Sequence, residues 1–171
     1  MLIIQKLTAS ETAAYLPALM ELLRDSVENG GSVGFLPPLN PAESTAFWQG
    51  VFTGVAAGSR ILLIAKEAER VVGSVQLDLC QKGNGLHRAE VMKLLVHTTA
   101  RRRGIGRALM QAIEAEARVA NRITLVLDTR QGDPSEKLYQ SLGWHITGAV
   151  PQYARNPDGS IAPTVIYYKL L

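Results

Sequence analysis

The sequence predicts a mixed α/β domain with one core and the element order β-α-α-β-β-β-α-β-α-β-β. Three observations carry this. Apolar residues recur at helical spacing from Gly104 to Ala120. Before that helix, three short apolar runs separated by turns read as an antiparallel meander. After it, Ile123–Asp128 is a continuous apolar run, as in a buried strand reached by a helical crossover. The length of 171 residues fits a single domain, 1–171. With 47% hydrophobic and 19% charged residues, the chain is balanced for folding and not for disorder.

Taken in order, Leu2–Leu7 reads as a short strand, and Thr8 with Glu11 as a capping box. Ala14, Leu19, Leu22, Leu23 and Val27 mark a helix ending near Glu28, which Pro17 is expected to kink or divide. Residues 29–41, NGGSVGFLPPLNP, form a long glycine- and proline-rich loop of the kind that lines a site. A second helix follows at Ala42–Ala57. The meander then uses Ile61–Lys66, Val71–Leu79 and His87–His97. On the next helix, Ile105, Ala108, Leu109, Ala112, Glu116 and Val119 trace one side, and Glu114 and Arg118 are expected to pair on the other. Asp133-Pro134-Ser135-Glu136 is a helix start with Asp133 as cap, and Gly143 is the stop. A short strand at Trp144–Thr147, a loop over 148–160 and a last strand at Pro163–Leu170 complete the chain.

Several function classes are excluded at this level. One cysteine, Cys80, permits no disulfide framework, and His87, His97 and His145 lack ligand spacing, so no metal is expected. No apolar run approaches a membrane span and no leader pattern is visible, so a cytoplasmic location is expected. The net charge of +3 is mild. Four basic residues nonetheless crowd into Arg101–Arg107, which points to a bound anion; the run is too short, and too poor in stacking aromatics, for nucleic acid.

That run ends the strand Leu94-Leu95-Val96 and opens a helix through Arg101-Arg102-Arg103-Gly104-Ile105-Gly106-Arg107. Free N–H groups converge at a helix start, and the helix dipole favours negative charge there. Gly104 and Gly106 let anion oxygens approach the backbone, and the arginines add charge-assisted bonds. A dinucleotide fingerprint needs glycine where Leu109 stands, and there is no Walker lysine.

The pattern Arg101-x-x-Gly104-x-Gly106 resembles the R-x-x-G-x-G of the GCN5-related N-acetyltransferases (GNAT). The segment Ser135-Glu136-Lys137-Leu138-Tyr139-Gln140-Ser141-Leu142-Gly143-Trp144 resembles that family's A-x-x-L-Y-x-x-L-G-F, with Ser135 and Trp144 as mild departures. Further stretches look like the tabtoxin-resistance branch, whose members acetylate the amine of a small amino-acid-like toxin. These include Ser32-Val33-Gly34-Phe35, Leu79-Cys80-Gln81-Lys82, Arg88-Ala89-Glu90-Val91, Leu127-Asp128-Thr129 and Pro157-Asp158-Gly159.

The resemblance implies the GNAT fold, acetyl-CoA as cosubstrate, direct acetyl transfer to a small-molecule amine and, as is common in the family, a homodimer. It also implies that 94–96 and 101–107 bind the cosubstrate and that Tyr139 protonates the departing thiolate. A phenol near pKa ~10 and a thiol near ~8.5 make that step uphill by roughly 2 kcal/mol. Glu90 and Asp128 are the candidate bases or ammonium-holding groups; two neighbouring carboxylates raise one another's pKa. His97 is read as structural. A protein amine as acceptor, or a non-catalytic CoA-binding module, are the alternatives.

Overall fold

The computed structural model describes residues 1–171. Eleven principal elements follow in the predicted order: β1 (Leu2–Lys6), α1 (Thr12–Glu28), α2 (Pro41–Ala56), β2 (Arg60–Glu67), β3 (Arg70–Leu79), β4 (Arg88–Val96), α3 (Ile105–Val119), β5 (Thr124–Arg130), α4 (Ser135–Ser141), β6 (His145–Arg155) and β7 (Ile161–Leu170). The strands make one seven-stranded sheet in the order β1-β2-β3-β4-β5-β7-β6. Only β4 and β5 run parallel, because the α3 crossover joins them; every other neighbouring pair is antiparallel.

Two apolar layers cover the sheet. On one face, Leu19, Leu22, Leu23 and Val27 of α1 and Trp48 and Val51 of α2 pack on Leu62, Ile64, Val71 and Leu95. On the other, Ile105, Leu109, Ile113 and Ala117 of α3 and Tyr139 of α4 pack on Leu63, Val72, Val75 and Leu77. Gly73 fits this second layer closely: a Cβ there would lie 2.9 Å from the Leu95 carbonyl oxygen and 3.0 Å from Leu109. The alternation of strand residues between two buried faces explains why β2 and β3 read as nearly continuous apolar runs.

Four expectations are corrected. Pro17 does not divide α1: it lies near the helix start, leaves one carbonyl without its donor, and the apolar stripe behind it holds a single helix. The buried side of α3 includes Met110 and Glu114, whereas Val119 is 77% exposed, so Glu114 faces inward and does not pair with Arg118. There it accepts from the Trp144 indole N–H (2.9 Å) and from Lys169 (2.7 Å). Asp133 does not cap α4, because Arg130 takes its carboxylate at 2.9 Å. Finally, β6 runs from His145 to Arg155, so most of 148–160 is strand rather than loop; its exposed, bulged edge carries no burial pattern to announce it.

The Thr8–Glu11 box does form in part. The Glu11 carboxylate accepts from the Thr8 hydroxyl at 2.6 Å and from the Thr8 N–H at 2.8 Å, and these bonds, the hydroxyl's first, hold its carboxyl below the usual range. At α2 the cap is Asn40, which accepts from the Ala42 N–H at 2.8 Å ahead of Pro41.

Candidate active site

The site begins with a defect in the sheet. Ser74 of β3 pairs with Leu95 and Gln76 with Met92, so Lys93 and Leu94 together oppose Val75. This is a β-bulge, and Lys93 takes a positive φ of 51° to form it. The effect on the next strand is large. β4 and β5 pair only over Arg88–Glu90 and Thr124–Val126; beyond those residues they separate, while β5 stays paired with β7 as far as Arg130. A cleft of about 1180 Å³ opens between them. It reaches from the α3 side of the sheet to the α1–α2 side.

At one end lies the start of α3. Gly104 is left-handed (φ 81°), and the first helical bond runs from the Ala108 N–H to the Gly104 carbonyl. The N–H groups just before it therefore lack helical partners. A Cβ on Gly106 would meet Leu138 at 3.3 Å, which narrows this end. Arg101, Arg102, Gly104, Ile105, Gly106 and Arg107 line the cleft, as do Leu94 and Val96. Arg101 is braced on the Val96 carbonyl (3.1 Å) and Arg107 on the Ser141 hydroxyl (2.8 Å). Two expected members stand elsewhere. Arg103 is turned to Glu67 at 2.7 Å, and Leu95 is 1% exposed in the α1–α2 core, because alternation on β4 sends its side chain away from the opening.

Tyr139 lines the middle of the cleft from the α4 side, its ring packed near Trp144 and Tyr167. Burial, and then the negative charge of Asp128, push its phenol well above the ordinary range. Beyond the opening, Glu90 and Asp128 line the same cleft. The Glu90 carboxyl is raised by partial burial first and by Asp128 second. Asp128 accepts from the Thr164 hydroxyl at 2.9 Å.

Residues 29–34 and Tyr153 and Ala154 of β6 wall this end. Arg130 ties the walls together: it donates to the Gly30 carbonyl (3.1 Å), the Asn156 side chain (3.0 Å) and Asp133. A second brace joins the end of α1 to the turn after β4. Asp25, near the end of α1, accepts from the Thr98 N–H (2.8 Å) and hydroxyl (2.7 Å), beside His97, which is buried and bonded to Arg70 at 2.9 Å. His97 holds a turn and does not line the cleft.

Sequence reasoning missed Lys93 and Arg130. Nothing in a single sequence marks Lys93, because its position depends on the bulge.

The sheet is thus split between its only parallel strands, with a helix start and arginines at the mouth of the opening. The family model described as "Acetyltransferase (GNAT) family" matches residues 16–144. The chain belongs to this family. It is an N-acetyltransferase of the GNAT type.

An uncharacterized N-acetyltransferase in the hisH-hisA intergenic region of Azospirillum brasilense is 30% identical over 115 residues, 66% of this chain and 67% of that one. A ribosomal-protein-alanine N-acetyltransferase from Brucella melitensis superposes with TM-score 0.81 at 25% identity, covering 99% of both chains. YncA, a putative acetyltransferase from Salmonella typhimurium solved with acetyl-CoA, superposes with TM-score 0.80 at 18% identity over 100% of this chain and 94% of that one.

Use of acetyl-CoA follows from the family, and the residues fit it. Free helix N–H groups and Arg101, Arg102 and Arg107 suit a pyrophosphate. The unpaired edge of β4 past Glu90 offers backbone groups to an extended amide arm.

Proposed function

We propose that this chain moves an acetyl group directly from acetyl-CoA to the amine of a small molecule, acting as one catalytic domain in the cytoplasm. The observation that carries this reading is a continuous cleft with an anion-binding helix start at one end and two carboxylates at the other. The 29–34 segment and β6 wall the acceptor end, which suits a small ligand better than a long peptide. Resemblance to the tabtoxin-resistance branch favours an amino-acid-like amine, a β-lactam toxin of the tabtoxinine type among them. The same branch suggests a homodimer.

Residues 94–96 and 101–107 hold the cosubstrate, with Arg103 and Leu95 contributing through backbone and loop shape. Bound acetyl-CoA supplies an activated acetyl group as a thioester. Glu90 and Asp128 attract the acceptor as an ammonium ion. An ordinary carboxylate lies about four pK units below an α-amine, and the raised Glu90 carboxyl narrows that gap, so Glu90 accepts the proton through water. Tyr139 gives its hydroxyl proton to the sulfur as the C–S bond breaks. Its raised pKa makes this costlier than the sequence-based 2 kcal/mol and keeps the phenol protonated until a sulfur anion develops beside it.

The test is release of CoA thiol over a panel of tabtoxinine-type amino acids, polyamines, aminoglycosides and N-terminal peptides, with Tyr139→Phe beside wild type. A small amine should turn over, and the variant should lose about 10²–10⁴-fold in kcat, the usual range for a general acid. Turnover confined to peptides would favour the second reading, a protein N-terminus, which the Brucella structure's name supports. Acetyl-CoA binding with no turnover on any amine would leave only a CoA-binding module.

A further inference from the structure

Three charged groups surround the acceptor end without touching one another. Glu90, Asp128 and Lys93 line one cleft, and each carboxylate acts electrostatically on the lysine. Yet none of the protein's ion pairs within 4.0 Å involves any of the three. Glu90 sits on the sheet face shared with Asp78, its partner across β3 and β4, and Asp78 is already neutralised by Arg60 at 2.9 Å. The other nearby cation, Arg130, is spent on Asp133, Asn156 and Gly30. Beside Glu90 and Asp128, Lys93 faces the cleft as a cation with no anion in contact.

Its surroundings hold it there. The bulge gives Lys93 a left-handed backbone, and its ammonium lies 5.9 Å from the centre of the Phe47 ring on α2. Gly34 leaves room for it, since a Cβ at that position would stand 3.3 Å from the Lys93 Nζ. A lysine serving only to neutralise Glu90 or Asp128 would close onto one of them, as the long flexible stem allows. Partial burial disfavours its charge, and Asp128 and Glu90, acting without contact, offset this only in part.

We propose that Lys93 is the specificity residue of the acceptor site, binding an anionic group, in the first place a carboxylate, on the molecule whose amine Glu90 and Asp128 receive. The acceptor is thus an amphoteric compound, ammonium toward the carboxylates and carboxylate toward Lys93. The inference rests on the small-molecule reading above. The bulge then sets two things at once: β4 parts from β5, and a cation is placed across from two anions.

The experiment measures kcat/KM for L-amino acids, their amides and the matching decarboxylated amines with wild type, Lys93→Met and Lys93→Arg, after each is shown to bind acetyl-CoA equally. Wild type should prefer the carboxylate form by about 10–100-fold, the worth of one hydrogen bond to a charged group. Lys93→Met should bring that ratio close to one through KM, and Lys93→Arg should restore part of it. Equal rates on carboxylate and amide with wild type would overturn the proposal. So would a Lys93→Met enzyme that keeps the preference, or one slowed equally on every amine with a displaced pH profile, which would mean that Lys93 only eases loss of the acceptor's proton. If only uncharged or polycationic amines react, this proposal fails and the small-molecule reading stands. If only peptides react, or none of the amines does, both fail.

Discussion

Two of the molecule's groupings of carboxylate and ammonium are built in opposite ways. Glu114 and Lys169 are in contact at 2.7 Å, with side chains only 8% and 19% exposed. Their remaining bonding capacity is used by the Trp144 indole and the Leu142 carbonyl. Glu90, Asp128 and Lys93 carry the same chemistry but stand apart around open space. Charges taken out of water are tolerable when paired and saturated with hydrogen bonds. Charges left unsaturated at the edge of a cleft have bonding capacity to offer a ligand. The first grouping fastens α3 to β7 and the end of α4; the second is free to recognise something.

The largest effect comes from breaking the closed pair. Lys169→Met should cost about 3–5 kcal/mol, since it leaves Glu114 buried and unpaired. Urea unfolding would show it, while kcat per folded molecule stays near wild type. Adding Glu114→Leu should restore much of that loss, because an apolar pair can replace a buried ion pair. A double variant no more stable than the single one would mean that the Trp144 contact matters more than the charges.

Asp128 is an intermediate case, tied by one side-chain bond. The Thr164 hydroxyl that serves it also donates to the Thr129 carbonyl at 2.8 Å and is 2% exposed. Thr164→Val should therefore cost about 1 kcal/mol in stability, read by thermal unfolding, together with a measurable rise in acceptor KM.

Glu90 should show the smallest effect, with the opposite sign. Its carboxyl is raised in the folded state, so the stability it contributes is full below its unfolded pKa and is lost as pH rises through the folded value. Glu90→Gln, which cannot ionise, should unfold at a slightly higher temperature than wild type at pH 7 and lose that advantage toward pH 4. Acetyl transfer should slow over the same range in which stability improves.

The closed pair was hidden from sequence analysis, and the arginine- and glycine-lined end of the cleft was not. Arg101, Gly104 and Gly106 announce an anion site through local chemistry, because a helix start needs no distant partner. Tyr139 was legible through the Leu-Tyr and Leu-Gly spacing of α4. Glu114 was misplaced because an acidic residue on a helix reads as solvent-facing until Trp144 and Lys169, far along the chain, are folded against it. β6 was read short because Gly148, Pro151 and an almost wholly exposed strand give no alternation to follow. Lys93 was invisible for a different reason. Alternation along β4 loses its phase at the bulge, so the face of every residue from 93 onward depends on one irregularity that leaves no compositional trace.

That irregularity also bears on how the protein can change. The parting of β4 from β5 depends on the number of residues in β4, whereas acceptor recognition depends on which side chain occupies position 93. Insertion and substitution are separate kinds of genetic event. A lineage carrying the extra residue can therefore exchange one amine for another by point mutation and keep the same acetyl donor throughout. Losing the residue would rejoin the strands and end transfer from any donor to any acceptor.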